Sequence, residues 1–333
     1  MGFQVEKRAD LAPPQTDGRD QVSTEHNPWA PKYFAKTLWL FTESDFATFV
    51  GPDTLFGVAA ALSGSALTNY DSPDLLHILS RIPLVMLWNW LNLLIFDLAN
   101  QRDPDSSVED AINKPWRPIP SGRITCAQTT TLHLVAVPVV LALNYLIGAW
   151  EETVLLFMLT WMYNDLGGGN HNWIVRNGII AVAFSQYNKG AMRVAAQMGF
   201  DIPVSAWWWL LMTSGVIGTT MHVQDMKDQE GDRARGRGTA PLVLGDGPAR
   251  WTIAIPVAVW SLVCPLFWDL GFVGYALPVG VGALIAFRIL ALRGFSADKR
   301  TWWLWTAWTA ILWFVPLFKD YGVFVRFGQK LGL

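Results

Sequence analysis

Charge is scarce in this chain. Of 333 residues, 16% are charged, where about 25% is usual for a soluble domain. That shortage argues against a soluble globular protein. The formal net charge is −2, so no basic excess marks a nucleic-acid partner. Cys126 and Cys264 lie in separate apolar stretches, which leaves no disulfide framework and no zinc spacing. Five scattered histidines make no metal cluster, and His222, three residues before Asp225, reads as a hydrogen-bonded core residue. No Gly-x-x-x-x-Gly-Lys loop is present, so Gly245-Asp246-Gly247 reads as a turn. No apolar core follows a basic start, so no cleavable signal peptide is expected.

Apolar and aromatic residues fill the space that charge leaves. The chain is 52% hydrophobic and has 19 Trp, a residue that favours bilayer interfaces and also lines pockets for cations. Most of the Trp, including Trp207, Trp208, Trp209, Trp302, Trp303, Trp305, Trp308 and Trp313, read as an interface belt, with a minority facing a pocket. Residues 1–34 are polar and proline-rich and read as a disordered cytosolic tail. Beyond them, residues 35–325 read as one all-α transmembrane catalytic domain. About nine spans are expected, near 37–66, 75–100, 124–148, 151–166, 173–199, 203–226, 250–268, 272–292 and 300–320; each crossing needs about 20 apolar residues. With nine spans, the runs Arg102–Arg123, Lys227–Arg250 and Arg293–Arg300 fall on the side of the N-terminus, and the opposite loops are nearly free of Lys and Arg. The excess of positive charge places that side in the cytosol.

Two acidic stretches stand at that side. Asp225, Asp228 and Asp232 follow an uncharged span at i, i+3 and i+7, on one face of a helix. Three like charges on one face repel, and Mg²⁺ relieves that repulsion by binding a few carboxylates together with phosphate oxygens. The loop after the second span carries Asn100, Asp103, Asp105, Glu109 and Asp110, then Lys114-Pro-Trp-Arg117. Spans two and six point the same way, so matching acidic clusters suggest a duplicated four-helix unit with a diphosphate held between them. A transporter with acidic ion sites is the reading from another class, but such sites lie near the bilayer midplane and these lie at helix ends.

The run from Asp110 through Lys114-Pro-Trp-Arg117-Pro-Ile-Pro-Ser121-Gly122, together with Asp225-x-x-Asp228-x-Glu-Gly-Asp232-Arg233, resembles the UbiA superfamily of intramembrane prenyltransferases. The similarity spans about residues 35–320. The first motif departs from the family pattern: Gln101 stands where an Asp is usual, and the gap from Asn100 to Asp110 is stretched by two residues. This loosened motif, with Lys36-Thr-Leu-Trp-Leu-Phe-Thr, Pro52 and Phe56-Gly57, resembles a fungal branch that includes membrane-bound sesquiterpene cyclases.

The resemblance implies a Mg²⁺ enzyme of the endoplasmic reticulum membrane, active site toward the cytosol, with catalytic Asp110, Asp225, Asp228 and Asp232. Its metal ligands come from these four and from Asn100, Asp103, Asp105 and Glu109. Lys114, Arg117, Lys227 and Arg233 are expected on the diphosphate. Tyr163 and Asn177 are candidate substrate contacts. Many members carry a basic residue soon after the Tyr; here Asn164 and Asp165 follow, and Arg176, Lys189 and Arg193 are the candidate replacements. The expected reaction is ionisation of a prenyl diphosphate, most simply farnesyl diphosphate, followed by cyclisation. Transfer of the prenyl group to an aromatic or other acceptor is the alternative.

Overall fold

The computed structural model describes residues 29–199 and 201–319; the expected tail therefore lies outside the described residues as far as residue 28. Among the described residues there is no strand. The helices are α1 Pro31–Phe46, α2 Val50–Leu62, α3 Leu75–Gln101, α4 Pro104–Asn113, α5 Cys126–Ile147, α6 Trp150–Asn164 and α7 Gly168–His171. They continue with α8 Trp173–Ala196, α9 Val204–Thr220, α10 Asp225–Arg235, α11 Ala240–Leu244, α12 Asp246–Phe267, α13 Phe272–Ala291 and α14 Phe295–Phe314.

Each stretch read as a span falls on helix, with three changes of boundary. Helix α1 begins at Pro31, inside the expected tail, because proline suits a first turn whose N–H has no partner to reach. The first span is broken at Ala47–Phe49 into α1 and α2, and the sixth ends in a 3₁₀ turn, Met221–Gln224, before α10 starts. Four helices, α3, α5, α12 and α13, are long and apolar enough to cross a membrane.

Local signals start the helices that frame the site. Asp103 caps α4 by accepting from the Asp105 N–H at 3.2 Å, with Pro104 in the first turn. Thr125 and Gln128 form a reciprocal capping box on α5. Asn172 accepts from the Val175 N–H at 2.9 Å to open α8.

The core forms where α2, α8 and α9 pack in series and α14 closes against α2. Four Trp of the expected interface belt, Trp302, Trp305, Trp308 and Trp313, are instead buried in this core, as is Trp209. For two of them the reason is local. The Trp305 indole donates to Thr220 Oγ1 at 2.9 Å and Trp308 to Ser261 Oγ at 3.0 Å, so these indoles need no interfacial water.

Candidate active site

The two acidic stretches fold as short helices at one end of the bundle and pack on each other, α4 against α10. Gly231 permits the approach: a Cβ there would overlap the Asn113 side chain. Asn113 in turn donates to the Asp228 carbonyl at 3.4 Å.

Each acid of the second stretch meets a cation. Asp225 is buried and accepts from Arg176 Nη1 at 2.8 Å, and Arg176 Nε donates to the Tyr163 hydroxyl at 3.2 Å. Asp228 pairs with Lys227 at 2.5 Å, and that ammonium lies 4.8 Å over the Trp302 ring. Asp232 is buried, 3.7 Å from Arg237, and its Oδ2 has no hydrogen-bond partner. Burial, and then the neighbouring Asp225, push the Asp232 carboxyl above the usual carboxylate range.

In the first stretch, Asp110 is buried and takes both its contacts, 2.9 and 3.1 Å, from Arg117 Nη1. Arg117 also reaches Asp45 at 2.5 Å and Ser44 at 2.8 Å, and Lys114 lies 3.7 Å from Asp45. Burial alone would lower the Arg117 pKa; Asp110 and Asp45 outweigh it and raise it. Asp45 of α1 is thus part of the site, and chain position gave no sign of it because 72 residues separate it from Arg117.

Several expected ligands are engaged by other partners. Asp105 is exposed on the outer side of α4. Asp103 and Glu109 face α10, where Arg235 bonds them at 2.9 and 3.0 Å, and Arg237 adds a contact to Glu109 at 3.3 Å. Burial raises the Glu109 pKa, but Arg237 and Arg235 outweigh it and hold the carboxyl below its ordinary range. Asn100 donates to Asn164 Oδ1 at 3.0 Å. Asn177 turns to α9, bonding the Gly218 carbonyl and His222 Nδ1 at 3.2 and 3.1 Å, so it holds two helices together. His222, bridged onward to Thr252 at 3.0 Å, is a hydrogen-bonded core residue as expected.

Arg233 is exposed, while Arg235 and Arg237 turn inward. The register explains this: position 235 continues the stripe of 225, 228 and 232, and 233 lies about 100° away from 232. Lys189 and Arg193 are not at this end at all. They lie 13 and 17 residues beyond Arg176 on α8, about 20–25 Å along the helix at its usual rise. There they pair with buried Glu152 at 3.0 and 3.2 Å.

Among the described residues, no three acidic, histidine or cysteine side chains form a metal cage by themselves. The set nevertheless suits Mg²⁺, which is held by one or two carboxylates and completed by phosphate oxygens and water. The unpartnered Asp232 oxygen, beside Asp225 on the same face, is the kind of hard donor such an ion takes.

Beneath Arg176 and Tyr163 runs a narrow cavity walled by Phe49, Phe96, Leu156, Ile180 and Tyr187. Its rings touch in series: Tyr163 to Phe96 at 5.3 Å, Phe96 to Phe49 at 6.4 Å and Phe49 to Tyr187 at 5.8 Å between centroids. Trp88 follows at 6.1 Å from Tyr187.

Comparison with known proteins gives the family. The chain is 34% identical over 241 residues to a fumagillin beta-trans-bergamotene synthase of Aspergillus fumigatus, covering 72% of this chain and 76% of that protein. It is 30% identical over 276 residues to a polyprenyl transferase of Hericium erinaceus, covering 80% and 88%. Its fold matches a UbiA homolog from Archaeoglobus fulgidus solved with GPP and Mg²⁺, with a TM-score of 0.58 at 13% identity over 84% of this chain and 99% of that one. The UbiA prenyltransferase family model matches residues 54–315, and the chain belongs to that family of enzymes.

Proposed function

We propose that this enzyme ionises farnesyl diphosphate and cyclises the resulting cation to a sesquiterpene. The observation that carries the reading is the aromatic cavity directly below the paired acidic helices. Ring faces in such a wall attract a cation by about 0.5–2 kcal/mol each, and a closed apolar wall keeps water from quenching it. The α8 wall of the cavity runs from Ile179 to Tyr187, about 12 Å by helical rise, and leads away from Arg176 in the direction a bent farnesyl chain would take.

The chain's own residues do the positioning. Arg117 and Lys114 on one side, with Arg235 and Arg237 on the other, ring the space between α4 and α10 with cations suited to phosphate oxygens. Arg176 holds Asp225 in place and fixes the Tyr163 ring at the mouth of the cavity. Asp225, Asp228 and Asp232, with Asp110 facing them, would hold Mg²⁺. When bound, that ion neutralises the diphosphate and makes it a better leaving group. The same reading places about nine spans in the endoplasmic reticulum membrane, one catalytic unit over 35–325, and the paired acidic helices toward the cytosol.

The similarity to a bergamotene synthase supports cyclisation, and the polyprenyl transferase keeps the acceptor reaction as the second reading. The deciding experiment is incubation of enzyme-containing membranes with farnesyl diphosphate and Mg²⁺, no acceptor added, with analysis of volatile products. A cyclic hydrocarbon is expected. Release of only diphosphate and farnesol, until an aromatic acceptor is supplied and coupled, would decide for prenyl transfer.

A further inference from the structure

One carboxyl group in the bundle has a position that the site described above does not explain. Asp53, in the first turn of α2, is 0% exposed, and neither of its carboxylate oxygens has a hydrogen-bond partner. A polar group left unpaired in an apolar interior is costly, and an ionisable one inside a membrane marks function by default.

Its place beside the cavity follows from the packing of α2 on α8. Phe49 stacks on Phe184 with centroids 4.7 Å apart and meets Tyr187 at 5.8 Å. Two turns further along α2, Gly57 lies so close to Ala191 that a Cβ would overlap its backbone. The two helices therefore run side by side in the same direction. Asp53, one turn from Phe49 and one turn from Gly57, is level with Tyr187 and Asn188. A third helix confirms the depth, since Asn89 of α3 donates to Thr54 Oγ1 at 3.1 Å.

Next to the Tyr187 end of the aromatic cavity thus lies a buried polar floor of Asp53, Thr54, Asn89 and Asn188, in which both amide atoms of Asn188 also lack partners. This floor lies about 16 Å from the end where the diphosphate is held, by the rise of α8. At that depth the diphosphate cannot reach a proton on the distal carbons of the chain.

Resting on the cyclase reading, we propose that Asp53 is the base that ends the cyclisation. In an apolar, water-poor chamber a carboxyl without a partner is favoured in its ionised form only where a positive charge is brought beside it, and a carbocation is such a charge. The C–H bond next to the cationic carbon breaks, and its electron pair becomes the C=C bond of the hydrocarbon. The proton goes to an Asp53 oxygen and returns to water after the product leaves. No oxidant or second substrate is needed, and the diphosphate remains at the other end of the cavity.

The test uses the full-length enzyme in membranes with farnesyl diphosphate and Mg²⁺, reading diphosphate release and volatile products separately. For Asp53→Asn, diphosphate release stays within about threefold of wild type. The wild-type hydrocarbon falls by about 10²-fold or more, the scale of loss of a positioned base, and alcohols or isomeric olefins replace it. An unchanged product pattern overturns the assignment, and so does a parallel fall of diphosphate release and hydrocarbon, which marks a structural role. Should Asp53→Asn fail to accumulate as folded protein, Asp53→Glu decides: moving the carboxylate by one methylene alters the ratio of double-bond isomers, and an unaltered ratio overturns the proposal. If wild type itself makes no hydrocarbon without an acceptor, the cyclase reading fails and this assignment falls with it. A wild type that cyclises beside an Asp53→Asn enzyme with identical products removes this assignment alone.

Discussion

At the far end of the bundle, Glu152 is enclosed by Lys189 and Arg193 of α8, and Glu151 adds a second acid at 3.5 Å from Arg193. At the other end, Asp225, Asp228 and Asp232 lie on one face of α10, each met by one cation, above an aromatic cavity. Both ends bury acids against bases. The far cluster answers one carboxylate with two cations, and its partners come from two neighbouring helices, α6 and α8. The near cluster gathers acids with acids across α4 and α10. Charge inside a membrane segment is therefore no guide to a substrate site by itself. The near end is the candidate site because like charges are held together there, an arrangement that a metal ion or anionic substrate completes, whereas at the far end two cations already face two acids.

The contrast breaks most sharply at the shared acids. Asp225→Asn or Asp228→Asn is expected to lower turnover by about 10²-fold or more, the scale of lost electrostatic stabilisation at a reacting centre, and EDTA should abolish turnover of wild type. Steady-state diphosphate release checks both. Full activity of either variant, or undiminished activity in EDTA, would overturn the metal role.

Arg235 and Arg233 sharpen the comparison within the near end. Arg235→Ala removes two ion pairs between α10 and α4, and a roughly tenfold loss in kcat/KM for the prenyl diphosphate is expected, about 1.4 kcal/mol. Arg233→Ala, at an exposed position, should change it by less than about twofold. Equal losses in the two variants would mean that the face of α10 turned to the substrate is not the one described.

The smallest effect on turnover is expected at the far end. Glu152→Gln leaves Lys189 and Arg193 buried without their acid, and removing one partner of a buried pair typically destabilises by about 3–5 kcal/mol. Thermal unfolding in detergent should move down accordingly, while turnover per folded molecule stays within about twofold. A selective loss of turnover with unchanged stability would return Lys189 and Arg193 to the substrate site.

Much of this was legible from residue order. Long uncharged runs can satisfy their backbone in lipid only as helices or closed barrels, so helix placement followed from hydropathy. The i, i+3, i+7 spacing put Asp225, Asp228 and Asp232 on one face before any contact was known, and the capping residues Asp103 and Thr125 marked where helices begin. Helical rise alone would also have removed Lys189 and Arg193 from the diphosphate end.

What only the tertiary structure decided is which residues distant in the chain share a space. Asp45 joined Arg117, α4 joined α10 through Gly231 and Asn113, and Trp305 and Trp308 left the expected belt for Thr220 and Ser261. The physical reason is the same in each case. Periodicity assigns a side chain to a face and a depth on its own helix, but its neighbour is set by how helices pack, which depends on small residues and polar partners on a second element. Asp53 is the clearest instance. In sequence it is one acid in an apolar run, and only the packing of α2 on α8 puts it, without a partner, at the level of Tyr187 beside an aromatic cavity.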